Sequence, residues 1–244
     1  TVVTTLDADL QQAAYDAPGD NKGAVVVMEA DTGKILSMVS KPDYDPNNLA
    51  ADWEILNTDE ENSPLLNRAT NGSYAPGSVF KIITTLAYMR QNSDYQSYTY
   101  DCTGSITVDN TTIPCFDNTV HGFEDLRSSF ANSCNSSFAN IGLSLDLAKY
   151  KETAEDLLFN SALPGVLDYT KSSFVLDEGA EVSEIMMTAM GQGRTTVSPY
   201  HMALITQAVA NGGTLMEPYL VEQVTNYTGT DVRRNVPKSY RRLM

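Results

Sequence analysis

The sequence predicts an α+β fold in which an antiparallel sheet carries an inserted, mostly helical region. Short runs rich in β-branched residues lie near the start of the chain, helical periodicity dominates the middle, and strand-like alternation returns near the end. Strands followed by helices and then by a further strand pattern indicate a sheet that a helical region interrupts. At 244 residues with 42% hydrophobic content, the chain is long enough to bury a substantial core.

The N-terminal elements are predicted to be a helix and a hairpin. Residues 5–16 place acidic side chains early and apolar side chains at helical spacing, which predicts a helix. Two β-branched runs, 23–30 and 34–40, flank the turn signal Asp31-Thr32-Gly33 and predict a β-hairpin. The KPDYDPNN segment that follows is predicted to be a loop, because its two prolines cannot continue a strand ladder.

The middle of the chain is predicted to be helical. From Ser78 to Arg90 apolar residues recur on more than one side of a helix, which is typical of a helix buried within a domain. Four further helical patterns cover residues 126–145, 147–159, 181–190 and 199–210. The last of them is predicted to end at Asn211-Gly212-Gly213, and residues 219–226 then alternate like a strand.

Charge and hydropathy exclude two classes of partner. The chain has 31 acidic and 16 basic residues, for a formal net charge of -15, and therefore repels nucleic-acid phosphates and anionic headgroups. No apolar run approaches the ~20 residues that a bilayer span requires, which predicts a soluble chain. Because the chain opens within a strand and has no initiator methionine, the removal of an N-terminal anchor from a longer parent stays open.

Three cysteines are too few for a disulfide framework. The two histidines, His121 and His201, show no metal-ligand spacing, so no zinc site is expected. Cys102 and Cys115 bracket a strand-turn-strand pattern whose ends a hairpin brings together. One disulfide or two reduced, buried thiols are both compatible with this pattern.

The segment YAPGSVFKIITTLAYM places Ser78 three residues before Lys81 at the predicted start of the buried helix. A serine hydroxyl is a poor nucleophile near neutral pH and requires a base within roughly 2.6–3.2 Å. Residues three apart share a helix face, so the Lys81 amine is expected beside the Ser78 hydroxyl. The helix N-terminus would favour an oxyanion at Ser78, and burial is expected to lower the pKa of Lys81.

An isolated S-x-x-K motif is also compatible with a capping serine and a solvated lysine. A second motif, Ser133-Cys134-Asn135, makes this structural explanation of Ser78 and Lys81 less favoured. It is the only S-x-N in the chain, and Ser78 to Lys81 is the only S-x-x-K. It would bring a hydroxyl for proton relay and a side-chain amide for a substrate carbonyl to the nucleophile. Together the motifs favour serine acyl transfer.

These motifs and several longer blocks resemble the transpeptidase domain of penicillin-binding proteins, the serine acyltransferases that cross-link peptidoglycan. The resemblance covers nearly the whole chain, and the DPN and NRAT segments are similar to the monofunctional class B enzymes. The blocks that carry it are VVTTLDADLQQAA, GAVVVMEADTGKILSMVSKPDYDPN, LLNRATNGSYAPGSVFK, HGFEDLRSSFANSCN and GQGRTTVSPYHMALITQAVANGGTLMEP.

The resemblance implies the fold shared by penicillin-binding protein transpeptidases and serine β-lactamases, and it implies a role for each motif residue. Ser78 would be the acylated nucleophile, Lys81 its base, Ser133 the proton relay and Asn135 a substrate-amide contact. It further implies no cofactor, stem peptides ending in D-Ala-D-Ala as substrate, and covalent inhibition by β-lactam antibiotics. The parent protein would be membrane-anchored, act at the extracytoplasmic face of a bacterial membrane and belong to a cell-wall synthesis complex.

The third motif of the family, K-T-G or a close variant on a strand, is missing from this sequence. The three Thr-Gly pairs follow Asp31, Cys102 and Tyr227, none of them basic, and each coincides with a predicted turn. We therefore expect residues 1–244 to form a single transpeptidase domain truncated before the K-T-G strand and lacking its C-terminal sheet strands.

Two other classes of function share these motifs. A β-lactam sensor or a β-lactamase would use the same serine and lysine but would differ in deacylation. A non-catalytic fragment or binding scaffold would retain the fold without chemistry, which the missing third motif favours and the intact Ser78, Lys81, Ser133 and Asn135 oppose.

Overall fold

The structure is a computed structural model that describes residues 1–244, and it confirms the α+β prediction with helices and antiparallel strands. The chain forms two compact units. We call residues 1–73, 162–171 and 198–244 the sheet unit, and residues 74–161 and 172–197 the helical unit.

The chain contains eleven strands and eight α-helices. The strands are β1 (Val2–Thr4), β2 (Gly23–Met28), β3 (Ile35–Lys41), β4 (Thr99–Cys102), β5 (Ser105–Val108), β6 (Thr111–Pro114), β7 (Gly122–Asp125), β8 (Thr214–Met216), β9 (Val221–Thr225), β10 (Asp231–Arg234) and β11 (Ser239–Arg242). The helices are α1 (Ala8–Asp16), α2 (Leu49–Thr58), α3 (Lys81–Gln91), α4 (Leu126–Ala131), α5 (Asn135–Ser144), α6 (Leu147–Asp156), α7 (Val182–Ala189) and α8 (Pro199–Ala210).

The sheet unit is built from short antiparallel pairings. The predicted hairpin is β2 with β3, in register from Gly23 opposite Lys41 to Met28 opposite Ile35. Strand β9 lies between β1 and β10, and β8 pairs with β11. Helix α8 packs against β2 and β8, and begins with Ser198 as its N-cap and a proline in its first turn. The Asn211-Gly212-Gly213 stop predicted for this helix is confirmed.

The helical unit packs α3 to α7 around an aromatic core. The Phe80 ring is fully buried and lies 5.6 Å from the ring of Phe159 and 6.2 Å from that of Phe174, between centroids. Tyr150 also packs on Phe174, at 5.1 Å. Two small hairpin-like pairings, β4 with β7 and β5 with β6, lie in the same unit. The helical unit contains every residue of the two sequence motifs.

Two local predictions need correction, and one helix was not predicted. The helical pattern over residues 126–145 forms two helices, α4 and α5, separated at Asn132–Cys134. The predicted N-terminal helix begins at Ala8 rather than at residue 5, because the Asp7 side chain caps it by accepting from Leu10 N at 2.9 Å. Helix α2 was not predicted from the sequence, and none of its residues is buried.

No helix of the structure is both long enough and apolar enough to cross a bilayer.

Candidate active site

The amine of Lys81 joins the two sequence motifs. Its Nζ lies 3.3 Å from Ser78 Oγ, 2.8 Å from Ser133 Oγ and 2.8 Å from Asn135 Oδ1. A fourth contact, at 2.7 Å, is with the backbone oxygen of Ser133. All four residues that the sequence singled out therefore meet at one nitrogen.

The partners of this amine suit a group that exchanges protons. The Ser133 carbonyl and the Asn135 Oδ1 only accept, so they take two of its N–H bonds. The hydroxyls of Ser78 and Ser133 both accept and donate. A neutral Lys81 amine therefore has two acceptors for its two hydrogens and two hydroxyls that can donate to its lone pair.

Ser78 is exposed on a tight turn whose shape depends on glycine. It lies in a 3₁₀ helix, Gly77–Phe80, that runs directly into α3, so Ser78 and Lys81 are nearly eclipsed. Gly77 has φ +62° and donates its N–H to Gly191 O at 2.9 Å. Gly191 has φ +84°, and a Cβ there would lie 1.9 Å from Gly77 O. Only glycine fits at Gly191, beside the turn that carries Ser78.

Helix α3 is anchored on the side away from the amine. Phe80, between Ser78 and Lys81, fills the aromatic core of the helical unit. One turn further on, the buried Thr84 hydroxyl lies 2.6 Å from Tyr150 OH and donates to Ala189 O at 2.8 Å. These contacts fix the rotation of α3, and with it the direction in which Lys81 points.

The second motif lies on the connection between α4 and α5. Ser133 adopts a left-handed backbone, with φ 51°, which a non-glycine residue rarely takes without support. Its support comes from two hydrogen bonds, Ser133 N to Phe130 O at 3.1 Å and Cys134 N to Ser129 O at 3.0 Å. Cys134 then acts as the N-cap of α5, its sulfur accepting from Ser137 N at 3.4 Å.

The surroundings of Lys81 shift its amine toward the neutral form. Burial lowers the pKa of Lys81 to about 8, against the opposing influence of the Cys134 and Cys115 thiols. The Lys81 side chain is almost fully buried, as the sequence predicted, and Nζ lies 5.4 Å from the centre of the Phe138 ring. A usable fraction of the amine is therefore unprotonated near neutral pH.

Asn135 is held at both ends of its side-chain amide. Its Oδ1 accepts from Lys81, and its Nδ2 donates to Pro114 O at 3.2 Å. The amide is half-buried beside the more exposed Ser133. Asn135 contacts the Lys81 amine and also lies at the edge of the site, whereas the sequence suggested a substrate contact only.

The Thr-Gly pairs of the chain do not form a third motif. Thr32-Gly33, Thr103-Gly104 and Thr228-Gly229 all lie outside the strands, in turns or bends. None of them is among the contacts of the Lys81 amine.

Sequence spacing missed a cluster of three cysteines and one histidine behind the second motif. The ligand-type atoms of Cys102, Cys115, His121 and Cys134 all lie within 4.8 Å of one another. The cysteines are free, and the sulfurs of Cys102 and Cys115 are 3.7 Å apart. Of the two alternatives left open for this pair, the reduced and buried thiols are present.

Sequence offered little sign of this cluster, because its members are separated by strands that only the fold brings together. Burial raises the pKa of the Cys134 thiol, and a hydrogen bond with the Glu124 carboxylate acts in the same direction. Burial also acts to raise the pKa of the Cys102 thiol, but hydrogen bonds from Ser136, His121 and Gly104 outweigh it and lower the value to about 6.

Gly191 was likewise missed as a site residue.

Comparison with known proteins agrees with the resemblance seen in the sequence. Residues 23–242 match the family model described as the penicillin-binding protein transpeptidase domain. The peptidoglycan D,D-transpeptidase PbpA of Mycolicibacterium smegmatis is 36% identical over 263 residues, which cover all of this chain and 52% of PbpA. The chain thus spans about half the length of that curated relative.

Two solved structures share the fold. Penicillin-binding protein A of Mycobacterium tuberculosis, as an imipenem acyl-enzyme complex, superposes with a TM-score of 0.90 and 30% identity, covering 100% of this chain and 59% of that one. The D,D-transpeptidase domain of a peptidoglycan glycosyltransferase from Eggerthella lenta gives 0.90 and 30%, covering 99% and 62%. This chain belongs to the penicillin-binding protein transpeptidase family.

Proposed function

We propose that this chain carries the acyl-transfer site of a peptidoglycan D,D-transpeptidase, with Ser78 as nucleophile and Lys81 as its base. The observation that carries the proposal is the single amine, Lys81 Nζ, within hydrogen-bond reach of Ser78, Ser133 and Asn135. Family membership and the D,D-transpeptidase name of a relative at 36% identity point to the same chemistry.

The first half-reaction forms an ester and breaks a peptide bond. Neutral Lys81 removes the proton of the Ser78 hydroxyl as Ser78 Oγ attacks the carbonyl of the penultimate D-Ala. The N–H groups at the start of the helix stabilise the negative charge on the carbonyl oxygen. Ser133 passes a proton from the Lys81 ammonium to the departing amine. The terminal D-Ala therefore leaves with a neutral amino group, and Lys81 is neutral again.

The second half-reaction reverses these roles. An amine of a neighbouring stem peptide attacks the Ser78 ester, and Lys81, through Ser133, accepts the proton that this amine loses. The new amide forms as the Ser78 oxygen leaves and regains its proton. Asn135 orients the peptide backbone while it holds the lysine amine. A β-lactam would follow the first half-reaction and remain on Ser78, since no amine leaves the site.

The cellular setting is also a proposal. We place the site at the extracytoplasmic face of a bacterial cell membrane, where peptidoglycan stem peptides are found, within a membrane-anchored parent that works in a cell-wall synthesis complex. The formal charge of -15 disfavours anionic polymers as substrates and agrees with this assignment.

Acylation by benzylpenicillin tests the proposal. We expect intact mass spectrometry to show one adduct per chain and peptide mapping to place it on Ser78. Ser78→Ala should give no adduct, whereas Ser93→Ala, which removes an exposed serine just beyond the end of the same helix, should react like the parent. An adduct on another residue, or equal labelling of Ser78→Ala, would contradict the assignment. A half-life of the adduct in seconds would favour a β-lactamase instead.

A further inference from the structure

The thiol cluster has the composition and shape of a metal site. Cys102 ends β4, Cys115 directly follows β6, His121 directly precedes β7, and Cys134 caps α5. Four separate segments thus each contribute one ligand-type atom to one small volume. Three sulfurs and one imidazole nitrogen form the Cys₃His set that is typical of closed, four-coordinate structural zinc sites.

Three of the six distances between these atoms lie close to the edges of a zinc tetrahedron. Zn–S bonds of about 2.3 Å at the tetrahedral angle separate two sulfurs by about 3.8 Å, and one sulfur from a nitrogen by about 3.5 Å. The Cys115 sulfur lies 3.7 Å from that of Cys102 and 3.7 Å from that of Cys134. The Cys102 sulfur lies 3.3 Å from His121 Nδ1. A disulfide requires sulfurs about 2.0 Å apart, so the geometry favours shared coordination over a bond.

The surroundings of the cluster also suit a cation. The buried Ser136 hydroxyl lies 3.3 Å from the sulfurs of Cys102 and Cys115 and 3.4 Å from that of Cys134, a position from which it would donate to a coordinated thiolate. Glu124 is almost fully buried on β7, and its Oε2 has no hydrogen-bond partner. A bound cation would offset the charge of this buried carboxylate and of the thiolates that form on coordination.

We propose that Cys102, Cys115, His121 and Cys134 bind one structural Zn²⁺ ion. Binding exchanges thiol protons for the metal, so that the cysteines coordinate as thiolates. The ion would join both small strand pairs, β4 with β7 and β5 with β6, to the start of α5. Soft sulfur ligands with one imidazole in tetrahedral geometry select zinc over calcium or magnesium.

The zinc would also support the second motif. Cys134 is the middle residue of Ser133-Cys134-Asn135, and both of its neighbours contact the Lys81 amine. Fixing the Cys134 sulfur fixes the turn that holds Ser133 in its left-handed conformation. The ion takes no part in the chemistry and serves as a positioning element behind it. This inference goes beyond the proposed function and does not depend on it.

Metal content provides the primary test. We expect the folded chain, purified under reducing conditions without chelator and incubated with zinc, to carry about one zinc ion by native mass spectrometry and elemental analysis. Cobalt substitution should give the visible bands of tetrahedral Co²⁺ together with thiolate-to-metal charge transfer. A folded chain that takes up no zinc overturns the proposal, as does an intact mass two hydrogens lighter, which would report a disulfide.

Variants then assign the ligands. Cys115→Ser and His121→Ala should each lose tight zinc binding, and Ser136→Ala should weaken it about 10- to 100-fold. Asp117→Asn, an exposed carboxylate in the loop between two ligands, should retain its zinc. Circular dichroism separates the loss of a ligand from a failure to fold, and the wild-type stoichiometry stands independently of every variant. Zinc retained by folded Cys115→Ser and His121→Ala would overturn the assignment.

Activity distinguishes this inference from the proposed function. Ser78→Ala, which abolishes the proposed acyl-enzyme, should still carry zinc. Chelator-treated chain should be acylated more slowly by benzylpenicillin and recover when zinc is restored. Zinc binding with no acylation in either state would leave the metal site intact while it contradicts the proposed function.

Discussion

Ser78 and Ser133 both precede a helix and both contact the Lys81 amine, yet they are held in different ways. Ser78 lies on a 3₁₀ turn whose geometry is local: the adjacent glycine, the lysine three residues on and the buried Phe80 set it. Ser133 occupies a left-handed conformation that neighbouring residues support, and the amine it contacts comes from Lys81, 52 residues away in sequence. The contact between Ser78 and Lys81 is therefore largely encoded in one short stretch, whereas the contact between Ser133 and Lys81 depends on the fold.

The largest expected effect is the removal of the amine that both serines share. Lys81→Ala should slow acylation by benzylpenicillin about 100- to 10,000-fold, because the base that activates Ser78 is lost. Stopped-flow or mass-based acylation rates measure this change. Lys149→Ala, which removes an exposed lysine of the same unit, should acylate at the parent rate. A Lys81→Ala rate within threefold of the parent would contradict its role as base.

The contrast between the two serines also explains how much could be predicted. Ser78 and Lys81 were identified as neighbours because i and i+3 residues share a face in both 3₁₀ and α geometry. The hairpin β2–β3 was predicted correctly because its turn signal and its two β-branched runs are local. The break between α4 and α5 was not, because helical periodicity continues through Asn132–Cys134 and only the capping contacts interrupt it.

Residues that act through distant contacts escaped prediction for the same reason. Gly191 lies over a hundred residues from Gly77, and only their close approach shows why it must be glycine. The four members of the thiol cluster lie on four segments, so no short ligand spacing marks them. Asn135 was singled out by its motif, but its contacts with Lys81 and Pro114 needed the folded chain.

The second largest effect tests the steric support of the nucleophile's turn. Gly191→Ala should lower the free energy of unfolding by about 1–3 kcal/mol, because its Cβ would lie 1.9 Å from Gly77 O. Displacing Ser78 by about 1 Å should slow acylation about 100-fold. Thermal denaturation and acylation rates measure the two effects.

Gly212→Ala is the matched control for the effect of backbone conformation. Gly212 also has a positive φ, +61°, but a Cβ there meets nothing within 4 Å. It should lose some stability from backbone strain alone while it acylates at the parent rate. If both alanine variants slowed acylation equally, the close approach of Gly191 to the nucleophile's turn would not be the cause.

A smaller effect on the acylation rate is expected from removing Asn135, which contacts the Lys81 amine from α5. Asn135→Ala removes an acceptor at 2.8 Å from Lys81 Nζ, and should slow acylation about 10- to 100-fold, the range expected for a lost hydrogen bond to a charged or titrating group. Asn140→Ala, five residues further along α5 and bonded to Tyr98 instead, is the control. Equal rates for the two variants would place Asn135 outside the catalytic contacts.

The last prediction concerns a gradual change of the acylation rate with pH. It tests the protonation of the Lys81 amine without a mutation. Because burial lowers the pKa of Lys81 from 10.5 to about 8, roughly one amine in ten is neutral at pH 7, against roughly one in three thousand at the ordinary value. Neutral amine is the reactive form, so acylation should rise with pH, about tenfold per unit well below pH 8, and level off above it. The pH dependence of the second-order rate constant with benzylpenicillin measures this.

Few titratable groups face Lys81, so the dependence of the acylation rate on pH should follow the titration of its amine. The Cys134 and Cys115 thiols are the titratable groups that influence its pKa, and no carboxylate is among its contacts. A rate that continued to rise to pH 10 would mean that the amine keeps its ordinary pKa and that burial does not activate it. A rate independent of pH between 6 and 8 would mean that Lys81 is not the base, and the activation of Ser78 would then have to come from elsewhere in the site.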